Sequence, residues 1–370
     1  MIAGPLSTFR RGEPVTGGER ERCPHPPTGN AGPCHAERVH PAEQSTEDPS
    51  ADHVLQRILS EAGLPASGDF RLRSGWVSRA WVGDEFVVRL NTDPRHREAY
   101  RHEARVVGLL ADTDVPHALH IAHGEGPDGP WYVSERLPGR TLHEEWPTAD
   151  AGTRRALIES LGAALQALHR VPVPADLLPP WLAGALSGGA WPAFHPPVVD
   201  AAIQQVDAAR RAPEHDDHLL DEVDTWLRAR LSLFDSARPA LVHGDVHGSN
   251  VIVEHGRVTG LIDFAEALAQ PADAELDTIL RWCARPEEFP PTPRSTGLPR
   301  ASLEDVPRWL HHACPALFAS EGLPERLRVY DLCVELAIAA HHPEAGAREA
   351  ARHRIARLLD GHSHLDALDW

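Results

Sequence analysis

The chain has 370 residues, 42% of them apolar, and a formal net charge of -18; that length allows two lobes, each with a real core. No apolar run is long enough for a membrane span, no basic-then-apolar start signals secretion, and an acidic balance argues against a phosphate-neutralising nucleic-acid surface. All 36 basic residues of the Lys/Arg class are arginine, which excludes a Walker A loop, a Schiff-base lysine and a Ser-Lys dyad.

Residues 1–50 are rich in Pro, Gly, Glu and Arg without apolar periodicity, and the composition predicts a poorly ordered tail. A helix is expected over "DHVLQRILSEAG", with Asp52 as N-cap and Gly63 as its end,. "DFRLRSGWVSRAWVGDEFVVRLN" reads as three short antiparallel strands broken at Ser74-Gly75 and at Gly83-Asp84,. "HREAYRHEARVVGLLAD" carries Ala104, Val107, Leu109 and Leu110 at helical spacing,. "GPWYVSERLPG" is a strand running into a Pro-Gly break, the expected lobe boundary,.

Beyond that break the pattern turns helical. Leu157, Leu161, Leu165 and Leu168 repeat on one face, as do Leu220, Val223, Leu227 and Leu231,. Between them lies a Pro-, Trp- and Ala-rich stretch, 171–215; a second Pro-rich excursion covers 286–307, and two further helices follow. The expected class is α+β: a small antiparallel sheet lobe with one helix over 51–138, and a larger, mainly helical lobe over 139–370.

Cys23, Cys34, Cys283, Cys314 and Cys333 are scattered and odd in number, so free thiols are expected, with neither a disulfide framework nor a zinc site. The histidine doublets at 311–312 and 341–342 and the "HSH" at 362–364 lack Cys or Glu at metal-ligand spacing, and read as polar helix faces and a soft tail. Location is expected to be cytoplasmic, with no membrane and no nucleic acid as partner; the sequence supports no protein partner.

Polar residues interrupt the apolar runs of "LVHGDVHGSNVIVEHGRVTGLIDFAEA", residues 241–267. "VIV" pairs with "VTGLI" across a turn at His255-Gly256,. That hairpin brings Asn250 and Asp263 near its open end, so that they converge with Asp245. An amide oxygen and a carboxylate suit Mg²⁺, which takes its other ligands from water and phosphate. Asp245 then sits where it can orient a hydroxyl and receive its proton, a combination that describes phosphoryl transfer. Asparagine occurs only at positions 30, 91 and 250, so its presence inside "HGDVHGSN" asks for a reason.

The segment Leu241–Phe264 resembles the catalytic and metal-binding loops of the aminoglycoside phosphotransferase family, relatives of the protein kinases, and the resemblance extends over most of 52–359. It implies a two-lobed, protein-kinase-like fold, Asp245 as catalytic base or hydroxyl-orienting group, Asn250 and Asp263 as Mg²⁺ ligands, and ATP or GTP as phosphoryl donor. The acceptor would be a hydroxyl of a small molecule, an aminoglycoside-like compound or another antibiotic, which connects to antibiotic resistance.

"FVVRL" is similar to the strand that carries the family's nucleotide-phosphate lysine, so Arg89 takes that position and Glu103 resembles its partner. Strand alternation places Val87 and Arg89 on one face and Phe86, Val88 and Leu90 on the other. In "SGWVSRAWV" Ser78 is the hydroxyl expected near phosphate, and Trp76 either caps the cleft or packs in the core. Adenine would be read by backbone groups at Ser134, Glu135 and Leu137. Glu275 in "AELDTILR" stands where the family often has Asp and is expected to be structural.

The acceptor side would be formed by 171–218, with "EHDDH" at 214–218, or by the acidic chain end. Either would suit a polyamine-like substrate. The arginine in place of lysine and the sparse glycine loop motivate an alternative: a kinase-shaped partner module without turnover, a subunit of a peptide- or natural-product-modifying complex.

Overall fold

The computed structural model describes residues 49–370 except 67, 75–77, 92–97, 175–176, 178–202, 204, 208, 212–214, 236, 293–294, 343 and 369–370. The chain divides into two units, Met1–Glu47 and Asp48–Trp370. The first lies outside the described residues, and with it nearly all of the tail expected at 1–50.

Helix α1 (Pro49–Glu61) begins three residues earlier than expected, so Asp52 lies in its first turn, where a carboxylate complements the helix dipole,. Ala51, Leu55, Ile58 and Leu59 form its buried stripe, the i, i+4, i+7, i+8 spacing of an amphipathic helix. Gly63, at φ +69°, ends the segment in the left-handed conformation, and Leu64 N–H bonds Leu59 C=O at 2.9 Å,.

The stripe packs on a five-stranded antiparallel sheet of order β1-β2-β3-β5-β4. Its strands are β1 (Arg71–Ser74), β2 (Ser78–Val82), β3 (Phe86–Asn91), β4 (His120–Gly126) and β5 (Gly129–Glu135). The first three and β5 match the sequence reading. Strand β4 does not, because "HIAHGEG" lacks the β-branched and aromatic alternation that marks a strand,; it is an edge strand, fixed by its pairing with β5.

Helix α2 (Ala99–Leu110) belongs to both halves of the molecule. It follows the sheet in sequence, yet Val106, Val107 and Leu110 join the larger core with residues from the helical half. Ala104, expected on the buried stripe, is only half-buried, whereas His102 and Glu103 are buried. Polar residues occupy this face because it meets the loop after Asp263: His102 Nε2 lies 2.6 Å from Ala267 O.

The Pro138-Gly139 break opens the second half. Strand β6 (Arg140–Thr141) pairs at once with β8 (Val251–Glu254), which forms a hairpin with β9 (Arg257–Leu261). The hairpin turn is His255-Gly256, with φ +50° and +75°, as two-residue connections between twisted strands require. Thr259 is an extra residue in the pairing, and its hydroxyl donates to Pro138 O at 2.9 Å, which fastens the Pro138-Gly139 break to the hairpin.

The larger core holds Leu157, Leu161, Leu165 and Leu168 of α3 (Ala151–Leu168), with Leu220, Val223 and Leu227 of the helix Asp217–Arg228, as their spacing predicts; Leu231, expected on the same face, falls beyond that helix, in the turn Leu231–Phe234. The long helices Leu323–His341 and Ala345–Leu359 complete it. Most of the 171–215 stretch lies outside the described residues. Among the described residues no helix is long and apolar enough to cross a membrane.

Gly139 has φ +102°, and a Cβ there would come within 2.2 Å of Val253 O. Gly139→Ala is therefore expected to destabilise the fold by at least about 1–2 kcal/mol, through left-handed strain and the clash with the β6–β8 pairing. Urea denaturation of wild type and variant checks this; an unchanged midpoint would refute it.

Candidate active site

The alternation of β3 turns Val87 and Arg89 into a cavity of about 370 Å³, while Val88 and Leu90 go into the sheet core. Arg89 Nη2 lies 2.5 Å from Glu103 Oε2, on α2. Its Nη1 donates to Asp263 Oδ1 at 3.1 Å. Glu103 also accepts the backbone N–H of Phe264. One guanidinium thereby joins the sheet, α2 and the loop after β9.

Burial pushes the Glu103 carboxyl up to about 7, even with Arg89 opposing it. For Arg89, burial alone would lower the pKa, but Glu103 and Asp263 hold it well above the ordinary arginine value,. Arg89 therefore stays charged, and Glu103 is the member of the pair that titrates.

Strand β7 (Pro239–Val242) pairs with β10 (Leu268–Pro271) and delivers the "HGD" turn. His243 is fully buried, with its Nε2 3.0 Å from Ile262 O and its ring 4.5 Å from the Phe264 ring. Asp245 N–H donates to His243 Nδ1 at 3.3 Å, which leaves the His243 proton on Nε2.

Glu275, fully buried, accepts the N–H of His243 at 2.8 Å and that of Gly244 at 3.2 Å, the structural work expected of it. Gly244 takes φ +80°, and a Cβ would sit 2.7 Å from Glu266 O. Only glycine turns the chain there, and Asp245 emerges from the turn partly exposed.

Asn250 Nδ2 donates both to Asp245 O at 2.9 Å and to Asp245 Oδ2 at 2.8 Å. Both partners are acceptors, so the amide orientation is forced and its oxygen faces away from them. Ile262 N–H bonds Asn250 O at 3.0 Å, which places Asp263 immediately beside Asn250. Asp263 holds φ +65° and ψ +63°; a non-glycine residue in this region is strained, and such strain gathers at functional sites. An amide oxygen and a half-exposed carboxylate are the hard donors that suit Mg²⁺, so these side chains fit that ion.

A profile of the phosphotransferase enzyme family matches residues 71–313. The chain belongs to this family, the aminoglycoside phosphotransferase family. Curated relatives include an aminoglycoside 3'-phosphotransferase of Escherichia coli, 24% identical over 61% of this chain and 78% of the relative. One from Streptomyces fradiae is 28% identical over 40% of this chain and 52% of its own.

Among solved structures, a ternary complex of APH(2")-IIa with streptomycin and ATP superposes with a TM-score of 0.58 at 14% identity, covering 86% of this chain and 98% of that one. ADP-bound APH(2'')-Ib gives 0.54 at 15% identity over 86% and 99%. The fold is the two-lobed, kinase-like one of these enzymes.

Within this phosphotransferase fold, Ser134, Glu135 and Leu137 line the cavity with apolar neighbours Val82, Val87, Ile252 and Leu261. Ser78 opens β2 opposite Asn91 and is not among the lining residues, and Trp76 lies outside the described residues. Glu214 also lies outside them. Asp216, from the same acidic run, caps the helix Asp217–Arg228 by accepting Leu219 N–H at 3.1 Å, so part of that run serves a helix start.

His247 escaped the sequence reading although it stands inside the motif. Ser249 N–H donates to its Nδ1 at 3.3 Å, and its Nε2 lies 3.6 Å from Asp245 Oδ2. The proton therefore sits on Nε2, facing the same carboxylate oxygen that Asn250 holds. His364 of "HSH" groups with Asp277 and Asp331 within 4.8 Å, a proximity invisible in spacing. Arg281 already lies against both carboxylates, and its charge makes the group an ion-pair network rather than a cation site.

Glu275→Ala leaves two buried backbone donors unpaired; it should cost about 2–3 kcal/mol and lower turnover more than nucleotide affinity. Urea unfolding and steady-state kinetics check this, and an active, equally stable variant would contradict it. A second expectation concerns pH. Glu103, raised to about 7 from 4.5, favours the fold while protonated, so metal-free stability should fall as pH rises from about 4.5 to about 7. Glu103→Gln should flatten that interval in denaturation series; an unchanged slope would refute the assignment.

Proposed function

We propose that this phosphotransferase moves the γ-phosphoryl group of ATP or GTP to a hydroxyl of a small-molecule acceptor, with an aminoglycoside-like compound as the acceptor class. The observation that carries the reading is a chain of contacts that runs from Asp245 to Asn250, from Asn250 to the Ile262 backbone next to Asp263, and from Asp263 to Arg89 on the cavity wall. The aminoglycoside 3'-phosphotransferase relatives and the acidic balance of the chain support a polycationic acceptor,.

The adenine would enter between the apolar walls of the cavity. Backbone N–H groups of Glu135 and Arg136 are engaged by Leu119 and Glu85. Leu137 has no such bond among the described residues, so its backbone is the part of this segment available to the base. Arg89 presents a fixed positive charge toward the phosphates. Asn250 and Asp263 would hold Mg²⁺, which when bound neutralises phosphate charge.

Asp245 Oδ2 is held by Asn250 and faced by His247, which leaves Oδ1 for the acceptor hydroxyl. As the acceptor oxygen bonds to the γ-phosphorus and the bond to the β-phosphate oxygen breaks, the hydroxyl proton passes to Asp245 and the nucleoside diphosphate leaves. The alternative of a module without turnover drew on Arg89 replacing lysine and on the sparse glycine loop; the engagement of Arg89 with Glu103 and Asp263 weighs against the first of these.

Asp245→Asn should lower phosphate transfer by roughly 100-fold or more while leaving Mg²⁺-nucleotide affinity within a few-fold. Asn250→Ala and Asp263→Ala should weaken binding of the Mg²⁺-nucleotide itself. Coupled turnover assays on an aminoglycoside panel, with calorimetric nucleotide titrations with and without Mg²⁺, separate these outcomes. Full activity in Asp245→Asn would sink the base assignment, and transfer to no panel member despite tight nucleotide binding would sink the acceptor class.

A further inference from the structure

The guanidinium of Arg89 has aromatic company that neither the motif nor the proposed reaction accounts for. Its Cζ lies 5.1 Å from the centroid of the Tyr100 ring and 4.8 Å from that of Tyr132. The chain has three tyrosines, and two of them meet at this one cation. Tyr100 sits three residues before Glu103 on α2, so both reach the same face,. Tyr132 is the β5 residue in register with Arg89. The two rings are themselves 5.7 Å apart and tilted by 42°. That separation is barely longer than either ring–guanidinium distance, so both rings lie to one side of the cation rather than above and below it. They form an aromatic corner, and Arg89 remains on the wall of the cavity.

We propose that Tyr100 and Tyr132 are positioning residues: their rings seat the Arg89 guanidinium, so that its edge donors meet Glu103 and Asp263 and its free side faces the nucleotide phosphates. The proposal rests on the phosphoryl-transfer reading and deepens it. A planar, weakly hydrated guanidinium rests well against ring faces and can hold two carboxylates at once; an ammonium is a compact, strongly hydrated point charge that does neither as well. The aromatic corner makes arginine the working residue here, and lysine a poor substitute although the charge is the same. Glu103 and Asp263 hold the edges of the guanidinium, and the two rings fix the tilt of its plane.

The test is a double-mutant cycle on the full chain with Mg²⁺-ATP as probe, reading KM and kcat separately. Tyr100→Leu and Tyr132→Leu should each raise KM for ATP about 5- to 30-fold with a smaller change in kcat, while the phenylalanine variants stay within about 3-fold because the ring face remains. Arg89→Lys should lose activity despite conserving charge, and in that background the leucine variants should add less than about 2-fold more. Fluorinated tyrosine, which keeps ring shape while weakening the face potential, should raise KM in the Arg89 protein but not in Arg89→Lys; this arm decides the matter where a leucine variant fails to fold. Full additivity of the leucine and lysine changes, or equal losses from phenylalanine and leucine, would overturn the seating of Arg89 by the rings alone. A wild-type chain that binds no Mg²⁺-nucleotide would overturn both that seating and the phosphotransfer reading.

Discussion

Everything in the cleft is arranged around a charge taken out of water. Arg89 is seated between Glu103 and Asp263, and each carboxylate comes from a different part of the chain. A cation so little exposed needs partners, and Glu103, buried on α2, would itself be left uncompensated if Arg89 were removed,. The sheet, α2 and the loop after β9 are thereby obliged to take one relative arrangement. Because α2 also contributes Val106, Val107 and Leu110 to the larger core, the constraint reaches from the proposed nucleotide side of the cleft to the proposed catalytic side.

On that catalytic side the same logic operates with backbone groups. The turn carrying Asp245 cannot satisfy its own N–H groups, and Glu275 accepts two of them from the start of the helix Glu275–Ala284. Farther along this helix, Arg281 is buried among Asp277, Asp331 and Glu335, and His364 closes the group through Asp331. Attraction to Arg281 and His364 outweighs burial and holds the Asp331 carboxyl below its usual range, whereas burial wins at Asp277 and raises it. The turn that carries Asp245, the proposed base, is thus tied to a helix whose far end is fixed by charge, which would limit how far Asp245 can drift from an acceptor.

Much of this was legible in the residues. Period-two alternation in "FVVRL" faced Arg89 to the cleft, and the His255-Gly256 turn set the register that brings Asn250 beside Asp263. What escaped depended on contacts between segments distant in sequence. Strand β4 exists because β5 pairs with it, not because "HIAHGEG" prefers extended structure. Tyr132 meets Arg89 only because β3 neighbours β5 across the sheet, a non-sequential pairing that no local pattern encodes. His247 lay in plain view, but its relation to Asp245 comes from a loop whose Ser249 N–H fixes the imidazole tautomer. The partners of His364 come from two other helices.

The most direct trial of this account is a crystal structure of the chain with Mg²⁺ and a non-hydrolysable ATP analogue. The expected density has the cation on the Asn250 amide oxygen and the Asp263 carboxylate, Arg89 turned to the phosphates, and the free Asp245 oxygen open to the terminal phosphoryl group. A nucleotide seated elsewhere, or an ion that ignores Asn250 and Asp263, would contradict it.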